Sequence, residues 1–222
     1  MTSRSTPRHD GDNEATLRQR ILEAAFTAFM ENGYAATSTL EIATRARVSK
    51  RELYARVGNK QEMLVACITE RARRWQVPPD LPAPRDRQTL EQLLSSFGAQ
   101  LLREITDPTV IGVFRLAVAE AVHAPEVGRA LDSTGREASR AALRGIMSQA
   151  QTSGLVSGPT DKLVDQFGSL LLGDLMIGLL LGVARRPSAR EIGQRARDAA
   201  AAFLQLHPPT DAEAHPRPKA RG

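Results

Sequence analysis

A chain of 222 residues, 41% of them apolar and 4% aromatic, is long enough to bury a real hydrophobic core, and this balance suits an Ala- and Leu-rich helical protein. Its single cysteine, Cys67, excludes an internal disulfide, and the polar N-terminus shows no cleavable apolar leader, so a reducing cytoplasm is the expected compartment. The formal charge of +5 is modest, but it is unevenly placed: residues 45–60 hold Arg45, Arg47, Lys50, Arg51, Arg56 and Lys60 against Glu52 alone.

Residues 1–12 are polar and without periodicity, and read as a disordered tail with Arg4 and Arg8 as its basic groups. Ile21, Leu22, Ala25, Phe26 and Phe29 then recur at helical spacing, and this helix ends at Asn32-Gly33, where Gly can take a left-handed C-cap. Ser38 with Glu41, and Ser49 with Glu52, each match the Ser-x-x-Glu capping box, in which hydroxyl and carboxylate satisfy the free N–H groups of a helix start. Two short helices, about 39–45 and 50–57, therefore abut across Ala46, Arg47, Val48 and Ser49, which is helix-turn-helix spacing. Ile42, Ala43, Val48 and Leu53 are expected to fill the crossing. Asn59 followed by Glu62 starts a long helix near Lys60, and Cys67, among Met63, Leu64, Ala66 and Ile68, reads as an inert buried thiol.

Pro78, Pro79, Pro82 and Pro84 break the chain after Trp75. Thr89 with Gln92 reads as the next start, with Leu90, Leu93, Leu94, Phe97, Leu101 and Leu102 on one face. Asp107-Pro108 leads into a helix over 110–122, Pro125 resets the chain, and a helix of about 127–151 ends near Gly154. The last two helices are expected at about 161–184 and 188–206, the second opened by the box of Ser188 and Glu191. The apolar stretch 167–184 approaches a membrane span, but Asp174 and Gly168, Gly173, Gly178 and Gly182 interrupt it, so a buried helix is the better reading. No strand-like alternation occurs, and residues 208–222, rich in proline, read as a second tail.

At Ile21-Leu22-Glu23-Ala24-Ala25, Phe29, Gly33-Tyr34, Thr37-Ser38, Ile42-Ala43, Val48-Ser49, Leu53-Tyr54 and Asn59 to Leu64 the chain resembles the tetracycline-repressor (TetR) family of transcription regulators. Two departures stand out: Arg47 occupies a turn position where the family usually has Gly, and Val57 a position where it usually has Phe. The pattern from Phe114-Arg115-Leu116 through Glu120 to Pro125-Glu126, then Gly173-Asp174, resembles the AefR-like subgroup of regulatory domains. The resemblance implies an all-α protein: a DNA-binding domain over 13–60 with its helix-turn-helix at 38–57, joined by a long helix to a ligand-binding and dimerisation bundle over 61–207.

It also implies a homodimer on a near-palindromic operator, most often a repressor. Lys50 and Arg51, in the first turn after Ser49, are the candidates for base contact, Arg51 being able to grip guanine O6 and N7. Thr37, Ser38, Tyr54 and Lys60 match positions that contact phosphate, and Arg45 and Arg47 add basic groups that face phosphate or solvent. A small apolar effector is implied in the bundle, with Phe97, Phe114, Met147, Phe167 and Leu171 as lining and Arg115, Glu120, His123 and Asp174 as polar anchors. For Asp174 a structural ion pair or a polar contact across the dimer is favoured over a ligand contact, because an acid in so apolar a segment needs a partner. The dimer seam is expected from Leu170, Gly173, Ile177, Leu181, Ile192, Ala196, Ala199 and Phe203. Neither cofactor, metal nor enzymatic activity is expected, since no phosphate loop or metal-ligand spacing occurs and His9, His207 and His215 lie in or beside the tails. The rival reading is a helical scaffold or membrane-associated module built on the 167–184 stretch.

Overall fold

The computed structural model describes residues 9–72 and 83–208; the outer parts of both tails, with Arg4, Arg8 and His215, and the prolines 78, 79 and 82 lie outside the described residues. Every regular element among those residues is helical. The chain forms two units, one of Met1–Trp75 with Gly112–Gly135 and one of Gln76–Ile111 with Arg136–Gly222. The division therefore does not fall at residue 60: the stretch 112–135 packs with the N-terminal helices.

In the first unit α1 (His9–Asn32), α2 (Thr39–Ala46), α3 (Lys50–Val57) and α4 (Lys60–Ala72) surround a core of Ile21, Ala25, Phe29, Ile42, Leu53, Met63, Leu64 and Ile68. α1 starts at His9, inside the stretch expected as tail. Cys67 is fully buried in the same core, and its thiol donates to the Leu22 carbonyl at 3.3 Å. Leu116 and Ala117 of α6 (Pro108–Glu120) and Val127 and Leu131 of α7 (Pro125–Leu131) complete the core.

The second unit is held by α5 (Arg87–Ile105), α8 (Glu137–Thr152), α9 (Thr160–Leu172), α10 (Leu175–Leu181) and α11 (Ala189–Leu206). Its core joins Leu90, Leu94, Phe97, Leu143, Met147, Leu163, Phe167, Leu171, Ala196 and Phe203. The start expected at Thr89 lies three residues earlier, since Asp86 is the N-cap and Thr89 closes the box: Asp86 Oδ1 accepts from the Thr89 N–H at 2.7 Å, and Thr89 Oγ1 accepts from the Asp86 N–H at 3.0 Å. The helix expected at 127–151 is not continuous: α7 gives way to a π-helical turn at Asp132–Arg136 before α8, where Asp132, Ser133 and Gly135 are weak helix formers.

The helix expected at 161–184 is likewise two, α9 and α10, bent by 52° at Gly173-Asp174. Gly173 sits at φ 47°, open to Gly and strained for other residues, and Arg195 of α11 donates to the carbonyls of Leu171 and Leu172 freed at the break, both at 2.6 Å. Asp174 is exposed there, and its side chain makes no hydrogen bond or ion pair with the described residues. Among the described residues no single helix is long and apolar enough to cross a membrane, although the bent pair passes that test by length and composition.

Candidate nucleic-acid interface

The two short helices are held by three local devices. Ser38 caps α2, its Oγ accepting from the Glu41 N–H at 3.1 Å, but this is only half of the expected box: the Glu41 carboxylate accepts instead from Asn32 Nδ2 at 2.8 Å and Arg45 at 3.3 Å. The Ser49 box is complete, with Glu52 Oε2 accepting from the Ser49 N–H and hydroxyl at 2.8 and 2.7 Å and Ser49 Oγ accepting from the Glu52 N–H at 3.1 Å. These bonds from Ser49 backbone and hydroxyl, with a smaller part from the Arg20 charge, hold the Glu52 carboxyl below its ordinary range. That carboxylate is thus committed to the cap rather than offered to a cytosine. Between the helices Arg47 takes the left-handed conformation (φ 53°, ψ 50°), the one non-glycine residue at positive φ among those described.

The basic cluster divides into paired and free groups. Arg45 bonds Glu31 of α1 at 2.7 Å as well as Glu41, and Arg56 pairs with Glu14. Arg47, Lys50 and Arg51 are exposed, and their side chains make no hydrogen bond or ion pair with the described residues. Lys50 and Arg51 stand in the first turn of α3, and Arg47 lies just before it. Tyr54, 47% exposed, shares a hydrogen bond with Thr39 Oγ1 at 3.2 Å, which ties α3 to the start of α2.

Two expected phosphate contacts face inward. Thr37 is 2% exposed and its hydroxyl donates to the carbonyls of Ala28 and Gly33 at 3.0 and 2.7 Å, so its side chain is a bolt between α1 and the loop. Lys60 is half-buried: its ammonium lies 4.3 Å from the Tyr34 ring centroid and donates to the Ala35 carbonyl at 3.3 Å. Burial lowers the Lys60 pKa, the Glu120 charge opposing, and burial with Glu120 and Glu126 raises that of Tyr34. Sequence reading missed Thr39 and Arg20, whose Nε donates to the Ala46 carbonyl at 3.0 Å; partners 15 and 26 residues away leave no local signature.

The effector candidates do not form one set. Phe97, Met147, Phe167 and Leu171 share the core of the second unit and are 3% exposed or less, so a ligand among them requires that core to open. Phe114 packs against the first unit's core, Glu120 is half-buried there, and Arg115 and His123 are exposed. The seam residues also separate. Ile192, Ala196, Ala199 and Phe203 lie inside the core of their own chain, because α11 turns its apolar stripe to α5 and α9, and they are removed from the expected dimer face. Ile177 and Leu181 of α10 are 60% and 71% exposed, beside Val183 at 81%, while Gly173 is exposed and Leu170 half-buried.

With this geometry in view, the family of bacterial regulatory proteins described as tetR matches residues 21–67, and the AefR-like transcriptional repressor C-terminal domain matches residues 92–207. Among solved structures, the flavonoid-responsive regulator FrrA is 26% identical, with 88% of this chain and 98% of that chain covered at a TM-score of 0.74. A TetR transcriptional regulator from Agrobacterium tumefaciens is 26% identical, with coverage of 89% and 97% and a TM-score of 0.70. A TetR-family regulator from Mesorhizobium loti shares the fold at 23% identity, covering 88% and 98% with a TM-score of 0.73. No curated protein matches the chain.

Proposed function

We propose that this chain, which belongs to the TetR family of bacterial transcriptional regulators and carries an AefR-like C-terminal domain, represses transcription as a homodimer that sets two α3 helices in successive major grooves of a near-palindromic operator. The observation that carries the reading is the exposed pair Lys50 and Arg51, whose side chains bond none of the described residues, in the first turn of a fully capped α3. Arg51 reads a base edge, most favourably guanine, and Lys50 shares that role. Arg47, Ser38, Tyr54 and the helix-start N–H groups beside Ser49 set the register on phosphate, and Arg45 and Lys60 act mainly by holding the unit together.

The dimer seat centres on the exposed α10 residues Ile177 and Leu181, with Leu170 and Gly173 beside them, since large apolar side chains left in solvent mark an interface. A small, mostly apolar effector is proposed for the second unit, around Phe97, Met147, Phe167 and Leu171, where it acts by preferring one of two arrangements of the helices. FrrA is by name flavonoid-responsive, so a panel of flavonoids is the first probe, with a rise in melting temperature and a loss of operator binding expected.

Selection of bound duplexes from a random pool tests the central claim. Recovery of an inverted repeat, bound with an affinity that falls steeply as salt rises, is the expected result. An unsymmetrical motif, or no enrichment over scrambled duplex, would overturn it.

A further inference from the structure

Arg47 is a non-glycine residue held in a left-handed conformation that is strained for any side chain with a Cβ, and it stands at the hinge between the helix that positions and the helix that reads. The orientation of one peptide, Ala46–Arg47, decides whether that conformation persists. Its N–H end is secured within α2, the Arg47 N–H donating toward the Ala43 and Thr44 carbonyls, while the next N–H, of Val48, donates to Ala43 at 3.0 Å. Its carbonyl end is secured from outside, by Arg20 Nε of α1 at 3.0 Å. Both ends of a single peptide plane are therefore clamped, and because Val48 ties the following chain to Ala43 as well, Arg47 reaches negative φ only by turning that plane, which breaks the bond from Arg20.

We propose that Arg20 is a positioning residue for DNA recognition: by holding the Ala46 carbonyl it keeps Arg47 left-handed and so fixes the direction in which α3 presents Lys50 and Arg51. The inference rests on the reading of α3 as the DNA-contacting helix. It explains how the turn tolerates arginine where glycine would be unstrained: α1 supplies from a distance the rigidity that glycine's freedom makes unnecessary. The guanidinium is not a phosphate ligand in this account, since what acts is one N–H and not the charge.

The chemistry separates these roles, because a glutamine amide nitrogen is as many bonds from its backbone as Arg Nε. Arg20→Gln keeps the donor and removes the charge; Arg20→Ala removes both. A double-mutant cycle of Arg20→Ala and Arg47→Gly, in the full chain, is read twice, as urea unfolding without DNA and as affinity for a duplex recovered by selection. Arg20→Ala is expected to weaken binding about fivefold to tenfold alone and only about twofold in the Arg47→Gly background, with unfolding constants coupled in the same sense by about fivefold. Arg20→Gln should bind within about threefold of the unaltered chain, with the salt dependence of Arg20→Ala close to normal. Additive effects in the unfolding cycle would overturn the clamp whatever the binding results. Arg20→Gln as weak as Arg20→Ala, with a salt slope lower by about one, would make Arg20 a phosphate ligand instead. Coupled unfolding in a chain that binds no selected duplex would leave the clamp standing and remove its role in recognition.

Discussion

Thr37, Ser38 and Thr39 are adjacent hydroxyls with three different tasks: the first bolts the loop to α1 from within the core, the second caps α2, and the third meets the Tyr54 hydroxyl of α3. Thr37 and Ser38 were both expected to contact phosphate, and burial with bonding partners distinguishes them. Thr37→Val removes the buried hydroxyl's bonds to the Ala28 carbonyl and the part-buried Gly33 carbonyl, so urea unfolding should show a loss of about 1–2 kcal/mol while the salt dependence of operator binding stays unchanged. A reduced salt slope would return Thr37 to the DNA surface. Arg51 and Lys60 diverge in the same way. Arg51→Ala, at an exposed position, should relax preference at one base position, with discrimination there reduced by about 1–3 kcal/mol, as read from affinities on single-base-pair variants of the selected duplex. Lys60→Ala should weaken all sequences about equally and also lower stability, because it removes the contact with Tyr34 and the bond to Ala35.

Helix starts show how short sequence patterns become structure. Ser49 and Ser188 close complete boxes with Glu52 and Glu191, as their spacing predicts, whereas Ser38 closes half of one because Asn32 and Arg45 compete for the Glu41 carboxylate. Glu191 carries a pH test. Its bonds with Arg185, then with the Ser188 backbone and hydroxyl, hold its carboxyl at about 2 against an ordinary value of 4.5. The unfolded chain thus takes up this proton at higher pH than the native chain. The stabilisation is complete above pH 4.5 and fades as pH falls towards 2. Glu191→Gln should flatten that part of the acid-unfolding curve, and an unchanged curve would mean the other low-lying acids account for it. The break between α9 and α10 is the second test: Gly173→Ala places a Cβ 2.9 Å from the Arg195 guanidinium at φ 47°, and should lower stability by about 1–2 kcal/mol in urea unfolding.

Assembly joins these parts into a regulator. A carboxylate introduced by Leu181→Glu, at a residue 71% exposed, should leave the subunit folded yet shift sedimentation towards monomer and weaken operator binding, because two reading helices no longer act together. Dimers of unchanged stability would move the seat away from α10. The all-helical class and the helix-turn-helix were legible in the chain order, because capping and periodicity act within a turn or two and leave their marks side by side; the Arg47 anomaly was legible through the resemblance to the family. Residues far apart in sequence decided the rest. The freed carbonyls at Leu171 and Leu172 are answered by Arg195, Arg45 is neutralised by Glu31, α11 spends its apolar stripe on its own core, and residues 112–135 pack with the N-terminal helices. Such pairings depend on which surfaces meet once the chain closes on itself, and a linear pattern that names a polar or apolar face does not name the face it will touch.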